Sequence, residues 1–129
     1  MRIIRIESFS TELACIVRIT ADDGSVGIGQ TSVYRADITA SVLHTLVAPS
    51  ALGLDPLDPL TLTNRVLEST LKYPGSFVCR ALCGVETACW DLRGKYEKAP
   101  VYELLGGAAT SVSAYGSSMR RDITPTDEA

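Results

Sequence analysis

Histidine occurs only once among the 129 residues, so the sequence cannot supply the His pair of a typical zinc site. That residue, His44, lies in a stretch with helical spacing, and we find no complete Ser/His/Asp arrangement around it. We interpret His44 as an exposed or hydrogen-bonded helix residue, without a catalytic role.

Basic clusters and long apolar runs are also missing. The formal net charge is −3, and no run of Lys or Arg offsets it, which disfavours nucleic acid and anionic lipid as partners. No apolar run approaches the roughly 20 residues of a membrane-spanning helix, and the first residues, MRIIRIESF, carry charges where a secretory signal needs an apolar centre. We therefore expect a cytoplasmic protein that does not bind membranes.

None of the four cysteines belongs to a CxxC pair. Cys79 and Cys83 are one helical turn apart, while Cys15 and Cys89 lie elsewhere. Because this spacing does not match a zinc site, the favoured interpretation is buried, reduced thiols. Metal binding or redox use is the alternative.

The first 30 residues have the pattern of a β-sheet. The runs RIIRIESF and LACIVRIT alternate apolar with polar side chains, and ADDGSVGIG supplies a turn followed by a third extended stretch. Asp23-Gly24 suits a tight hairpin because Gly24 tolerates a positive φ. The sequence therefore predicts a three-stranded antiparallel meander.

Gly27-Ile28-Gly29 resembles the start of a dinucleotide fingerprint, but Ser32 stands where the third glycine is needed. The favoured interpretation is a strand whose glycines permit a bend or a close neighbour.

Helical spacing follows. A first helix is predicted before Pro49, with an apolar stripe made of Ile38, Val42, Leu43, Leu46 and Val47. Asp58 is predicted to cap a second helix that has Pro59 at its first position and runs to about Lys72. A third helix, with Ser76 available as its cap, has a stripe made of Val78, Leu82, Val85, Cys89, Leu92 and Tyr96.

The third helix has the broadest apolar face, because Ala81 and Ala88 widen its stripe. Such a face predicts burial against two layers, of which the meander provides one. On its polar side, Asp91 and Lys95 are one turn apart, and we expect this pair only to support the helix by a few tenths of a kcal/mol.

After the third helix, PVYELLGG predicts a short helix closed by Gly106 and Gly107, and SVSAYGSSM predicts a further strand. TPTDEA then has Thr124 as a helix cap and Pro125 at the first helical position. Since this helix start stands at the last residues of the sequence, we expect the fold to continue past Ala129 in a longer protein.

Residues 81–107, ALCGVETACWDLRGKYEKAPVYELLGG, closely resemble the segment that joins the two domains of the mandelate racemase and muconate lactonizing enzyme group within the enolase superfamily. DDGSVGIGQT is similar to that group's third-strand hairpin, and GLDPLD to the entry of its second helix. The resemblance covers nearly the whole chain.

The resemblance implies an α+β fold: a three-stranded antiparallel meander followed by a bundle of three to four helices. Residues 1–110 would form the N-terminal capping domain, and residues 111–129 the start of a truncated (β/α) barrel. In this group a divalent metal, normally Mg²⁺, stabilises the enediolate formed when a proton is removed next to a carboxylate. The metal ligands and the bases lie on barrel strands, so no catalytic or metal-binding residue is assigned to this chain.

The resemblance further implies that two loops of the cap, at residues 9–13 and 31–35, shape the substrate pocket. The pocket residues expected here are Ser10, Thr11, Thr31, Ser32 and Tyr34. Tyr115 and Ser117 either contact the ligand from the first barrel strand or form a solvated strand end. Gln30 replaces the Glu common in the group, and a short first loop predicts an open pocket or a larger substrate.

The expected function is that of a substrate-capping domain of an acid-sugar dehydratase, racemase or cycloisomerase, inactive as this piece alone. The expected partners are a small carboxylate or acid-sugar substrate in the full-length enzyme and further copies of the chain in a homo-oligomer. The broad face of the third helix would be buried against the barrel, and its exposure in this piece should favour self-association. The alternative is a free-standing interaction module that uses the same helix face for a protein partner.

Overall fold

The structure of the protein, a computed structural model, describes residues 1–73, 75–108, 111–114 and 124–128. Strands β1 (Ile3–Ser10), β2 (Cys15–Ala21) and β3 (Val26–Gln30) form an antiparallel sheet in the order β1-β2-β3. The helices are α1 (Ala36–Val42), a π-helical turn (Leu43–Val47), α2 (Ala48–Ala51), α3 (Pro59–Ser69), α4 (Ser76–Glu97), α5 (Val101–Leu104) and α6 (Pro125–Glu128). The predicted α+β class, with a meander followed by helices, is confirmed.

The β2–β3 hairpin turns at the predicted Asp23-Gly24. Gly24 has a φ of 86°, and its N–H donates to the Ala21 carbonyl at 3.0 Å. The Asp23 carboxylate accepts from the Ser25 N–H at 2.9 Å, a hydrogen bond that lowers the pKa of Asp23. These local contacts fix the register in which Thr20 pairs with Val26.

The glycines of β3 lie directly on α4. A methyl group at Gly27 would come within 2.0 Å of the Ala88 carbonyl oxygen, and one at Gly29 within 2.2 Å of the Gly84 carbonyl oxygen. Gly84 is crowded too, but by side chains, since a methyl group there would lie 2.7 Å from Val17 Cγ2. The interpretation of Gly27 and Gly29 as sites of a close neighbour is therefore correct, and that neighbour is the α4 backbone.

Helix α4 is enclosed by this domain itself. The sheet covers one side, while α1, α3 and the π-helical turn cover another. The predicted stripe is buried from Val78 to Leu92, but Tyr96 is 62% exposed. The second layer that this face predicted consists of the domain's own helices, so the expectation that the buried stripe is left for the barrel is wrong. A homo-oligomer and the interaction-module alternative stay predictions.

Asp91 and Lys95 do more than support α4. The Asp91 carboxylate accepts from the Ile28 N–H at 2.7 Å, and the Lys95 ammonium donates to the Val26 carbonyl at 3.2 Å. The two side chains also bind each other at 2.6 Å. They thereby satisfy backbone groups on the edge of β3 that β2 does not pair, and an unpaired strand edge would otherwise invite another strand.

Two of the predicted helix starts have different outcomes. Asp58 caps α3, and its carboxylate accepts from the Thr61 N–H at 3.1 Å. Helix α3 ends at Ser69, three residues before the predicted Lys72. Ser76 is not a cap but the first residue of α4, and no side-chain hydrogen bond caps that end.

The apolar stripe predicted for the first helix is only partly buried. Leu43 and Val47 are buried, Val42 and Leu46 are partly buried, and Ile38 is exposed. A group of small residues from the same helical stretch is buried as well: Ala36, Thr39, Ala40, Ala48 and Ala51. Helical structure also continues past Pro49, after the wider π-helical turn at Leu43–Val47, so that proline does not end it.

The cysteines divide into two pairs. Cys15 and Cys89 are buried, and burial raises the pKa of Cys89 to about 12. Cys79 and Cys83 are exposed, so the expectation of burial is wrong for them. All four thiols are unpaired with one another.

The structure describes only part of the predicted C-terminal elements. The short helix of PVYELLGG is α5, and the Gly107 N–H closes it on the Tyr102 carbonyl at 2.7 Å. Residues 111–114 have no regular secondary structure, and the rest of the predicted strand lies outside the described residues. Helix α6 begins at Pro125 with Thr124 bonded to the Asp127 N–H at 3.3 Å, as predicted. In the described residues, no helix is both long and apolar enough to span a membrane.

Candidate functional site

The two predicted pocket loops lie at the same end of the sheet. Of the predicted first loop, residues 9–13, Phe9 and Ser10 belong to β1, so we call residues 11–14, between β1 and β2, the first loop. The second loop is residues 31–35, between β3 and α1. Ser10 pairs with Cys15 and Ile16 pairs with Gln30, so both loops emerge beside the N-terminal end of β2. The β2–β3 hairpin is at the opposite end.

The first loop is a tight turn organised by Thr11. The Thr11 N–H donates to the Ala14 carbonyl at 2.7 Å, and its hydroxyl accepts from the N–H groups of Leu13 and Ala14 at 3.3 and 3.1 Å. Leu13 at its tip is 75% exposed. The loop therefore presents an apolar tip on a backbone that its own threonine holds in shape.

The second loop is attached to the first at two points. The Thr31 N–H donates to the Cys15 carbonyl at 3.0 Å, and the Ala36 N–H, directly after the loop, donates to the Glu12 carbonyl at 3.3 Å. Thr31 and Cys15 are both buried here; burial raises the pKa of the Cys15 thiol, and a hydrogen bond with Thr31 partly opposes that rise. The two loops consequently form one continuous surface.

The last residue of the second loop has an unusual backbone. Arg35 adopts φ 53° and ψ 55°, a left-handed conformation that is costly for a residue with a Cβ, and no side chain caps the start of α1. Its guanidinium forms two hydrogen bonds with Asp37, at 3.0 and 2.7 Å, which lower the pKa of that carboxyl. This pair is exposed and lies beside the loop.

An open groove of about 440 Å³ lies between the second loop and α4. Its lining side chains carry hydroxyl, amide, guanidinium and thiol groups; they belong to Gln30, Thr31, Ser32, Ser76, Cys79, Arg80 and Cys83. Arg80 crosses from the helix to the loop, where it donates to the Ser32 hydroxyl and to the Tyr34 carbonyl. Most of the exposed surface of the groove is nevertheless apolar, and Arg80 is the basic side chain in its lining.

The pocket residues predicted from the sequence differ in what they offer a ligand. Ser10, Thr11 and Tyr34 are exposed at the loop end, and Ser32 is partly exposed on the groove. Thr31 is only 4% exposed and mainly ties the second loop to β2. Tyr115 and Ser117 lie outside the described residues. Contact of any of these residues with a substrate stays a prediction.

Sequence reasoning missed Arg80, Cys79 and Cys83 as groove residues. Their helical periodicity was visible, but their proximity to the second loop depends on how α4 crosses the sheet. Across the described ranges, no group of three His, Cys, Asp or Glu side chains is placed to hold a metal ion.

The chain is similar to proteins of one family. A family profile described as "Mandelate racemase / muconate lactonizing enzyme, N-terminal domain" matches residues 3–106. The crystal structure of a candidate racemase from Roseobacter denitrificans is 51% identical, with a TM-score of 0.89, and the match covers 99% of this chain and 35% of that one.

Two further relatives are less similar in sequence. A D-galactonate dehydratase family member from Paenibacillus sp. (strain JDR-2) is 34% identical over 116 residues, which are 88% of this chain and 28% of the relative. A mandelate racemase/muconate lactonizing protein from Paracoccus denitrificans PD1222, crystallised with magnesium, is 35% identical with a TM-score of 0.74, over 82% of this chain and 30% of that one. The chain thus spans between 28% and 35% of the length of these three proteins.

Proposed function

Because the chain belongs to the mandelate racemase / muconate lactonizing enzyme family by its N-terminal domain, we propose that it is the capping domain of an enolase-superfamily enzyme acting on an acid sugar. In this proposal residues 1–110 form the cap and residues 111–129 begin the barrel. The reaction class is removal of a proton next to the substrate carboxylate, leading to dehydration, racemisation or cycloisomerisation.

The observation that carries the proposal is the single surface made by the two loops. Hydrogen bonds from Thr31 to Cys15 and from Ala36 to Glu12 join them, and the adjoining groove offers the Arg80 guanidinium and the Ser32 hydroxyl. A polyhydroxylated anion needs such donors and acceptors for orientation and discrimination. The described part of the chain offers no set of metal ligands, so we assign Mg²⁺ to residues of the barrel and derive no step through it.

The chain's own contribution is therefore binding and selection. The loops would close one side of the pocket, exclude water and place the hydroxyl groups of the substrate, while the proton transfer takes place on the barrel. The short first loop, with Leu13 at its tip, leaves room for a substrate that extends toward the groove.

The experiment uses the complete protein that contains these residues, with Mg²⁺ and a panel of acid sugars that includes D-galactonate and D-mannonate. Loss of the proton next to the carboxylate is followed by ¹H NMR in D₂O, which detects all three reaction outcomes. We expect one or a few acid sugars to react, and a coding sequence for the barrel to follow residue 129. If the codons ended there and no barrel partner existed, the proposal would be wrong.

A loop insertion then tests the cap's role. Two added glycines between Ser10 and Glu12 should change the ratio of kcat/KM values among the acid sugars that react. The matched control is the same insertion at Asp23-Gly24, at the opposite end of the sheet, which should leave the ratio unchanged. Equal effects of the two insertions, or none from the first, would contradict substrate selection by this loop.

A further inference from the structure

Arg80 is the main side chain of α4 that reaches the second loop. One of its terminal nitrogens, Nη1, donates to the Ser32 hydroxyl at 3.2 Å and to the Tyr34 carbonyl at 3.3 Å. These partners lie 48 and 46 residues away in the sequence. A single side chain therefore joins the helix to two residues of the loop.

The guanidinium also lies against two aromatic rings. Its carbon is 5.8 Å from the centroid of Tyr34, on the loop, and 5.7 Å from that of Phe77, on the preceding turn of α4. Both distances are within the range of cation–π attraction. Arg80 thus holds the loop by its backbone and by a side-chain ring, while Phe77 supports the guanidinium from the helix.

Arg80 differs from the arginines that form ion pairs. Arg18, Arg35 and Arg93 each bind a carboxylate at 2.9 Å or less. In the part of the chain that the structure describes, Arg80 has no carboxylate within 4.0 Å. Its hydrogen bonds go to the loop, so loop attachment is the role that its contacts define.

The second loop needs such an attachment. Thr31 anchors its beginning to β2, and the Ala36 N–H ties the residue after the loop to Glu12, but between them the chain passes through the left-handed Arg35 into a helix without a side-chain cap. Left-handed backbone in a residue with a Cβ persists only where surrounding contacts hold it. The Tyr34 carbonyl, which Arg80 binds, belongs to the peptide directly before Arg35.

We propose that Arg80 is a positioning residue that fixes the second loop on α4 and thereby sets substrate selection; the selection part rests on the function proposed above. It acts through Ser32 and Tyr34, which form the groove surface, and needs no contact with the reacting atoms.

Cys15 offers a direct measure of this positioning. It is buried next to Thr31, at the point where the second loop leaves the sheet, so we expect an alkylating reagent to reach it when the loop opens. Cys89, buried in α4, reports opening of the core, while the exposed Cys79 and Cys83 react in every variant. Mass spectrometry of peptides after timed alkylation with iodoacetamide separates these sites.

We expect Arg80→Ala to accelerate alkylation of Cys15 about tenfold, since loss of one or two hydrogen bonds shifts a local opening equilibrium by about that factor. Alkylation of Cys89 should stay unchanged. Arg80→Lys, which keeps the charge but not the planar group that lies against Tyr34 and Phe77, should give an intermediate rate. The matched control is Arg93→Ala on the same helix, whose guanidinium lies 5.4 Å from the ring of Trp90 and binds Glu97. It should leave Cys15 as slow as in the parent protein.

An unchanged Cys15 rate in Arg80→Ala overturns the proposal. If Arg80→Ala unfolds, both buried cysteines become reactive, and Arg80→Lys then decides: a Cys15 rate equal to that of the parent overturns the proposal, and a selectively faster one supports it.

In the complete enzyme, Arg80→Ala should raise KM for the acid sugar several-fold with a smaller change in kcat, and Arg80→Lys should recover part of the loss. This split distinguishes loop positioning from a general loss of fold, which lowers the amount of active enzyme. Faster Cys15 alkylation with unchanged KM and unchanged selectivity would support the positioning role and contradict the capping function. An unchanged alkylation rate would contradict the positioning role alone.

Discussion

Helix α4 is held in two different ways along its length. At Gly84 and Ala88 it meets the backbone of β3 at Gly29 and Gly27, where no side chain separates the two elements. One turn nearer its start, at Arg80, it meets the second loop through one long side chain beside an open groove. The first contact leaves no room for an added atom, whereas the second tolerates changes in length, angle and chemistry.

This difference suggests that the two regions have separate roles in the domain. The glycine contact fixes the angle at which α4 crosses the sheet, and that angle determines where Arg80 and its groove lie relative to the loops. Variation at the glycines should therefore destroy the scaffold, while variation at the loop end should alter recognition at little cost in stability. The following predictions test whether the two regions separate in this way.

The largest expected effect is that of Gly29→Ala. The new methyl group would lie 2.2 Å from the Gly84 carbonyl oxygen and 2.7 Å from the Ala88 nitrogen, both backbone atoms that cannot rotate away. Overpacking of this kind should lower the free energy of unfolding by about 3 kcal/mol or more, measured by urea denaturation followed by circular dichroism.

The control for that change is Gly24→Ala. Gly24 has a φ of 86° but nothing within 4 Å of a new methyl group, so it should lose only about 1 kcal/mol from the backbone conformation. A Gly29→Ala protein as stable as Gly24→Ala would show that α4 can move away from β3. It would contradict the claim that this contact is rigid.

A smaller effect is expected for Asp91→Ala, on the solvent side of the same contact. The substitution removes the acceptor for the Ile28 N–H and the partner of Lys95, and both bonds involve a charged group. Because Asp91 is partly exposed, we expect a loss of about 1 kcal/mol.

Glu97→Ala is the matched control for Asp91→Ala. The pairs Arg93–Glu97 and Lys95–Asp91 have the same spacing on α4 and the same distance of 2.6 Å, but Glu97 makes no bond to the strand. It should cost under about 0.5 kcal/mol. If both substitutions cost the same, the bonds of Asp91 and Lys95 to β3 contribute nothing beyond a helix-surface ion pair.

Features set by neighbouring residues were predictable from the sequence. The Asp23-Gly24 turn and the Asp58 cap each depend on hydrogen bonds within three residues, and both are as predicted. The bonds of Asp91 to β3 and of Arg80 to the second loop join residues 63 and 48 apart, and no local pattern distinguishes them from surface pairs. The stripe of the first helix was only partly correct: Leu43 and Val47 are buried, but Ile38 is exposed, and small residues fill the rest of the contact with the core.

The resemblance in residues 81–107 predicted the fold class because its glycines and alanines encode how closely α4 approaches the sheet. It did not predict the groove. Cys79 and Cys83 were predicted to be buried, reduced thiols, yet they face the open space beside the second loop, and only the path of α4 across the sheet shows this.

The stability that Asp58 contributes should depend on pH. The hydrogen bond from Thr61 lowers the pKa of Asp58, so its ionised form stabilises the start of α3. This stabilisation is present in full above the ordinary Asp pKa of about 4 and is lost as the pH falls through the lower folded-state pKa. The difference between the urea unfolding midpoints of the parent and of Asp58→Ala should therefore become smaller at acidic pH.

Asp58→Ser separates the cap from its charge, since a serine still accepts the bond but does not titrate. Its midpoint should stay above that of Asp58→Ala with little dependence on acidic pH. Because α3 lies away from both loops, neither variant should change substrate selection. A change of selection in Asp58→Ala would mean that the scaffold and the loop end are coupled, contrary to their proposed separation.

The smallest effect on stability is expected at the loop end itself, for Ser32→Ala. The hydroxyl accepts hydrogen bonds from Arg80 at 3.2 Å and from the Tyr34 N–H at 3.5 Å, at the edge of the groove, so its removal should cost under about 0.5 kcal/mol. The matched control is Ser50→Ala, which loses a hydroxyl bonded to Ser69 at 2.7 Å on the far helices. Both proteins should unfold at nearly the parent's urea concentration, but only Ser32→Ala should change the ratio of kcat/KM values between two acid sugars. A Ser32→Ala enzyme with the parent's ratio would place selection outside the second loop, since the groove would then lose a polar contact without any effect on which substrate reacts.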